Sequence, residues 1–503
     1  MNKKIQKETE SSCEYILPDY LGDVKKLLMS SAKVIPSGKF SSEDSLDLAG
    51  VVQFDVVYLD AENKLSAASF TSDYDFTVPT GENYRDSFIK TAVSTYAIRL
   101  TGPRKISAKC NVGLEGVMME ENALMASGSA FSETRAPQLL YDTVKIERWD
   151  NSEPVEREFA EEAASLEGVL ADDIEIITSS ASVRITDTEP IEGGVKVSGI
   201  ITVNSIIRVD SEQPFAISRE IPFEEEVKIE GVTNEASLIA DAVISSLNCA
   251  ANDAEGAASV VANVIMELSV AAISNEEEKI VKDAYLCECD TEESFEKIRY
   301  FEHQGAQRCE ICGSVKLSAE ELNVEGLSDF LSLCAVFRIP EIESDFDSKI
   351  KAEAQISGIA CQINEDGECA YSPLKLSVPV SFDVNKSMHF GEGTNTAVKI
   401  SPCYPEFTVD GDNVYMKFTT DALVFVSQEK SAERLVSCNV VGENEYKESL
   451  SKISVYYPED GETLFSVAKK FHTTVEAIAK NNDISAEVSS FDSAAPFERL
   501  IIR

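Results

Sequence analysis

Apolar and polar side chains alternate residue by residue through three stretches: "GVVQFDVVYLD" ending at Asp60, "GVKVSGIITVNSIIRVD" ending at Asp210 and "AQISGIACQIN" ending at Asn364. Such alternation lays one apolar row on one face of a strand, and the Asp, Asn and Gly residues of "DAEN", "DSEQ" and "NEDGE" supply the hairpin turns that come next. A second strand follows each turn, as "SFTSDYDFTVP", "ISREIPFEEEVKI" and "PLKLSVPVSFDV". A third alternating run follows in each case, "ISAKCNVGLEGVMM", "SVVANVIMELSVAAI" and "NVYMKFTTDALVFV". Many strands without intervening helical patterns predict a mainly β fold of tandem antiparallel, sandwich-like repeats.

Aligning the copies sets Asp60 against Asp210 and Asn364, offsets of 150 and 154 residues, and the segments "ASVRI" and "AVFRI" also lie 154 apart. A period this long reads as duplication of a whole domain. The expected division is an N-terminal segment at 1–29, β repeats at 30–135, 136–290 and 291–445 (the last two with leading connectors), and a C-terminal module at 446–503.

The C-terminal module has a different period. "ISVYY" reads as a short strand and Pro458 to Gly461 as a turn, with Thr463 capping a helix whose Leu464, Val467, Ala468 and Phe471 share one face. Thr473 and Glu476 form an expected capping box for a second helix, with Val475, Ile478 and Ala479 facing the first. "RLIIR" closes a two-stranded sheet, giving a small βααβ unit.

Composition narrows the partners. Lys+Arg 45 against Asp+Glu 88 leaves a formal charge of -43, which repels nucleic-acid backbones and anionic lipid heads and favours a charge-complementary protein. No run approaches the ~18 apolar residues of a membrane span, and "MNKKIQKETE" has no apolar export segment, so a cytoplasmic location is expected. The 12 cysteines fall at irregular intervals, as free thiols would. "CEIC" (Cys309, Cys312) has the gap of a zinc knuckle, with only His303 near it to add a ligand, so no metal site is assigned. The three histidines, His303, His389 and His472, are far apart and each fits a surface position equally well, and no phosphate-cradling loop, HExxH or GxSxG motif is present. The reading is a protein without catalytic residues or cofactor.

The residues also carry two family resemblances. "ILPDYLGDVKKLL", "AGVVQFDVVYLDAENKL" and "EIPFEEEVKI" resemble the SPOCS domain, the repeat of spore-coat morphogenetic proteins, over roughly residues 15–440. Gly22 stands where that family usually has proline, and the third copy lacks the tyrosine and the "EIPF" segment. "GETLFSVA" and "HTTVEAIAKNN" resemble the LysM module, with Phe465 in place of the usual tryptophan and a longer loop, "SAEVSSFDSAAP".

The LysM resemblance implies a groove for N-acetylglucosamine polymers such as peptidoglycan. One side is Asp460, Gly461, Thr463, Leu464 and Phe465; the other is Asn481, Asn482, Asp483 and Ile484. Leu464 and Phe465 equally fit plain core at helical spacing. The combined resemblance implies a spore-envelope scaffold on the mother-cell side of the developing spore, whose LysM module docks to the coat's basement-layer ATPase. The alternative is a glycan-binding protein with the repeats as spacer.

Overall fold

The computed structural model describes the chain except residues 1, 43, 82–83, 121–125, 132–135, 211, 231, 234, 255–256, 319–320, 323–326, 339–348, 364–368, 386–387, 389–392, 412, 444–452, 486–498 and 503. Asn364, His389 and most of the long C-terminal loop therefore lie outside the described residues.

The first unit comprises β1 (Asn2–Ile16), β2 (Val24–Ser41), β3 (Ser45–Asp60), β4 (Leu65–Pro79), β5 (Tyr84–Gly102) and β6 (Lys105–Glu120). The meander β2-β3-β4 forms one sheet and β1-β6-β5 the other, all antiparallel. Both inner faces, including Val52, Phe54, Ile106 and Val112, bury one core, as in a two-layer sandwich. β1 lies within the expected 1–29 segment and pairs with β6 from Asn2 to Ile16, so that stretch contributes a strand to the first sandwich.

The second unit follows the same order with β7 (Gln138–Asn151), β8 (Val155–Glu167), β9 (Ile174–Ile191), β10 (Gly194–Val209), β11 (Phe215–Lys228), β12 (Ser237–Ala254) and β13 (Ala257–Tyr285). Its meander is β9-β10-β11, while β7 and β8 share the position of β1, pairing with the two halves of the long β13. The third unit has β14 (Cys289–Ser318), β15 (Leu327–Arg338), β16 (Lys349–Ile363), β17 (Cys369–Asp383), β18 (Thr394–Ile400), β19 (Glu406–Asp410) and β20 (Asn413–Glu443). Its meander is β15-β16-β17, and β14 pairs with β20. The C-terminal module adds β21 (Ser454–Tyr456), α1 (Leu464–Lys470), α2 (Val475–Asn482) and β22 (Leu500–Ile502).

Local chemistry explains the strand ends. Asp60 Oδ1 accepts from the backbone N–H groups of Glu62 at 2.9 Å and Lys64 at 2.8 Å, and Asn63 takes φ 63°, so the "DAEN" turn is built by its own side chains. Gly22 lies against this corner, where an added β-carbon would sit 2.9 Å from that of Asp60. The family proline therefore has no room here. Arg104 holds the preceding "LPDYLGD" segment, donating to the carbonyls of Leu17, Pro18 and Leu21 at 3.1, 2.6 and 3.0 Å and to Asp23 at 2.9 Å. In the central strands Gly50 faces Tyr74 and Gly199 faces Phe223, each ring covering a glycine too close to admit a β-carbon.

Two apolar clusters bring residues of all three sandwiches together. The turn ends of the meanders meet where Val57 and Leu59 of the first unit pack with Ile206 of the second and Leu331 and Ile359 of the third. The second meeting point joins Phe88 and Met119 of the first unit, Trp149 and Ile239 of the second, and Phe425 of the third. The cross-strand pairs Phe88 with Val117, Ile239 with Ala271, and Ala397 with Phe425 occupy matching positions, and Val117, Ala271 and Phe425 are spaced by 154 and 154 residues. Two residues further along β5, β12 and β18, Lys90, Asp241 and Lys399 come together. Asp241 accepts from Lys90 at 3.2 Å and also pairs with Lys399. One carboxylate thus joins all three units.

Buried polar groups surround Trp149, the single tryptophan. Its Nε1–H donates at 2.6 Å to Glu147, which is itself buried and accepts from Ser427 of the third unit. His303, whose place the sequence leaves open, has a side chain only 8% exposed that stacks on Phe425 with ring centroids 5.1 Å apart. Its Nε2 lies 2.7 Å from Ser237 Oγ, and its Nδ1 is 4.0 Å from Glu147 with no hydrogen-bond partner. Burial lowers its pKa to about 4. Trp149 and His303 are 154 residues apart, so the repeat period was the signal that could have placed His303 inside.

The "CEIC" segment lies within β14, not in a turn. Side chains three apart on a strand point to opposite faces; Cys309 is buried and Cys312 exposed, so the pair cannot converge on one ion.

Candidate binding site of the C-terminal module

α1 starts where the sequence places it. Thr463 caps the helix by accepting from Ser466 N–H at 3.0 Å, and Ser466 Oγ accepts from Thr463 N–H at 3.0 Å, a reciprocal capping box. The loop before it is tied by Glu462, whose carboxylate accepts from Glu459 N–H and Tyr456 O–H, both at 2.9 Å. Gly461 takes φ 85°, a conformation that favours glycine. This loop is therefore a shaped edge held at both ends.

α2 begins one residue later than the expected capping box. Thr474, not Thr473, caps it by accepting from Ala477 N–H at 3.1 Å. Thr473 belongs to the preceding turn: its N–H donates to Ala468 and its carbonyl accepts from Tyr285 O–H at 2.7 Å. At the far end Asp483 adopts the left-handed conformation, φ 56° and ψ 42°, and ends the helix. Asn482 holds the closing strand: its amide donates to Ile478 and Ile501 carbonyls at 2.9 and 2.8 Å and accepts from Ile501 N–H at 2.6 Å.

The nine candidate groove residues thus divide by environment. Leu464 and Phe465 are 1% and 7% exposed and belong to the module's core, so they present no groove surface. Asn482 is committed to β22. Asp460, Gly461 and Asp483 are exposed, and Thr463, Asn481 and Ile484 are half-buried. They form two rims, one at the N-terminal end of α1 and the other at the C-terminal end of α2. With Glu459 and Glu462 nearby, this edge is acidic and edged with backbone groups and short polar side chains.

The other end of the module sits on the repeat body. Phe465 packs edge-on against Tyr285, the last residue of β13, with ring centroids 5.1 Å apart. Lys469 bridges Asp283 of β13 at 2.7 Å and Glu293 of β14 at 3.2 Å. Burial opposes its charge, but these two carboxylates outweigh that and raise its pKa. His472 Nε2 lies 3.8 Å from Asp290. Burial raises the pKa of the Tyr285 phenol, which keeps it a hydrogen-bond donor. The seat uses Phe465 in the first turn of α1, Lys469 in its last turn and the turn after it, whereas the exposed rim residues lie in the loop before α1 and just after α2.

The family model for the SipL SPOCS domain matches residues 173–252, from the entry of β9 through most of β12. The LysM domain model matches residues 459–488, from the turn before α1 to beyond the end of α2. The chain carries a SPOCS domain and a LysM domain. No curated protein and no solved structure matches it. The SPOCS match covers the second meander, whose strand order recurs in the first and third units. The LysM match covers both rims and the whole α1 face that meets Tyr285. Among the described residues no helix is long and apolar enough to cross a membrane.

Proposed function

We propose that this protein is a non-enzymatic assembly protein of the bacterial spore envelope. Its three SPOCS-type units form a rigid body, and its LysM module binds a spore-coat morphogenetic ATPase from the mother-cell cytoplasm. Support for the sporulation setting comes from the SPOCS match, and support for a binding role from the LysM match. The observation that carries the reading is the seat: α1 is locked to Tyr285, Asp283 and Glu293, while Asp460, Gly461 and Asp483 remain exposed. A module seated along α1 with the flanking loops left exposed suits a fixed adaptor. The acidic rim favours a basic protein surface over an anionic polymer.

The second reading, binding to N-acetylglucosamine polymers such as peptidoglycan, is favoured by the LysM match itself and by the short polar and backbone groups of the rims. Full-length protein tested against the purified basement-layer ATPase and against insoluble peptidoglycan distinguishes them. Retention on the ATPase, lost in Asp483→Lys, supports the docking reading. Retention on peptidoglycan alone, lost in Asn481→Ala, selects the second, and retention on neither removes both. Asn482→Ala does not serve, because it removes the two hydrogen bonds that hold β22 and a third within α2.

A further inference from the structure

The turn between β16 and β17 separates the third unit from the other two. Its strands carry two cysteines, Cys361 near the end of β16 and Cys369 at the start of β17. Cys361 pairs with Tyr371 and Cys369 with Ile363, so the two are diagonal neighbours on one face of the hairpin. Their sulfurs are 2.7 Å apart, within about 0.7 Å of the ~2.05 Å of a formed disulfide. The matching turn ends in the first two units, "YLDAENKL" and "RVDSEQPF", contain no cysteine.

This pair also lies where units touch. Cys369 Sγ donates at 2.9 Å to Gln213 Oε1, in the turn that follows β10 of the second unit. The neighbouring Tyr371 packs into the cluster where the three meanders meet, with Ile359 from the same hairpin. Cys361 is buried, whereas Cys369 is partly open to solvent. The two thiols therefore differ in access, one reachable and the other held behind it.

We propose that Cys361 and Cys369 are a reversible redox site, oxidised by low-molecular-weight disulfides such as oxidised glutathione. The Cys369 thiolate attacks one sulfur of the small disulfide, forming a mixed disulfide and expelling one thiolate. The Cys361 thiolate then attacks the Cys369 sulfur, closes the intramolecular bond and expels the second thiolate. The two protons lost by the cysteines pass, through solvent, to the two small thiols released. Two protein thiols are oxidised as one disulfide is reduced, and an excess of small thiol reverses both steps. Oxidation removes the Cys369 S–H donor to Gln213 and cross-links the two strands of the hairpin at the joint between the second and third units.

The test uses the reduced full-length protein, incubated with oxidised glutathione, alkylated with iodoacetamide and digested with trypsin. Both cysteines fall in one tryptic peptide, residues 352–375. The expected product is that peptide two hydrogens lighter than its reduced form and carrying no alkyl group, from protein that shows no intermolecular disulfide on a non-reducing gel, with the reduced form restored by dithiothreitol. Cys361→Ser is expected to stop at a stable glutathione adduct on Cys369, and Cys369→Ser to stay unmodified at Cys361. A doubly alkylated peptide from the wild type, a cross-link to another cysteine, or an adduct at Cys361 in Cys369→Ser overturns the proposal.

Discussion

The phenol of Tyr285 donates a hydrogen bond to the Thr473 carbonyl at 2.7 Å across 188 residues of sequence, while its ring lies 76° to that of Phe465. This side chain, with Lys469, fastens the LysM module to the end of the second unit. Tyr285→Phe is expected to cost about 1 kcal/mol, the net worth of one hydrogen bond. Tyr285→Ala also removes the ring contact and leaves a hole beside Phe465, a loss of about 3–5 kcal/mol at the seat. Limited proteolysis of full-length protein should then release a fragment beginning near residue 446 from the alanine variant much faster than from the phenylalanine variant. Equal resistance in both would show that the contacts of Lys469, His472 and the surrounding apolar residues hold the module without Tyr285.

Asp241 pairs with both Lys90 and Lys399, and each of the three comes from a different unit. Burial lowers the Lys90 pKa to about 7, so its charge depends on that carboxylate. Asp241→Asn removes the carboxylate that both lysines share. Breaking a buried pair costs ~3–5 kcal/mol, and because Lys399 is 46% exposed the expected loss is smaller, about 2 kcal/mol. Urea unfolding followed by Trp149 fluorescence reads this junction, since Trp149 packs with its apolar part. The deficit should shrink in high salt, which screens the attraction that the substitution removes. A salt-independent deficit would count against the electrostatic account.

His303 gives the junction a pH dependence with a definite sign. Its pKa falls from 6.5 to about 4 on folding, so between those values the unfolded chain binds the extra proton. Its stabilising contribution is complete above pH 6.5 and is lost as the pH drops towards 4, amounting to at most about 3 kcal/mol. Glu147, 4.0 Å from Nδ1, is the charged group facing it, while Ser237 and Phe425 contact the rest of the ring. His303→Gln should lose less stability than the wild type over this interval, the difference approaching one proton per molecule. Parallel pH profiles would mean that the imidazole is not buried in its neutral form.

Much of the candidate site was legible because its determinants are local. Thr463 caps α1 with a hydroxyl three residues from its partner, and Leu464, Val467 and Ala468 meet the core through helical spacing alone. Thr473 and Thr474 were harder to separate, since either hydroxyl can cap; Tyr285 settles the matter by claiming the Thr473 carbonyl. Phe465 shows the same limit. Its spacing fits both core and groove, and only the ring of Tyr285 on its outer side assigns it.

The sequence by itself determined the alternating strands, the "DAEN" hairpin turn, the long repeat period and the βααβ form of the module, because alternation, turn chemistry and helix caps act over a few residues. Only the tertiary structure decided that the three units meet at Trp149 and Asp241, that His303 is inside, that Cys361 reaches Cys369, and that the module sits on Tyr285. Strand periodicity says which face of a strand is apolar but not which distant face covers it. That choice belongs to packing and charge pairing between residues mostly far apart in the chain.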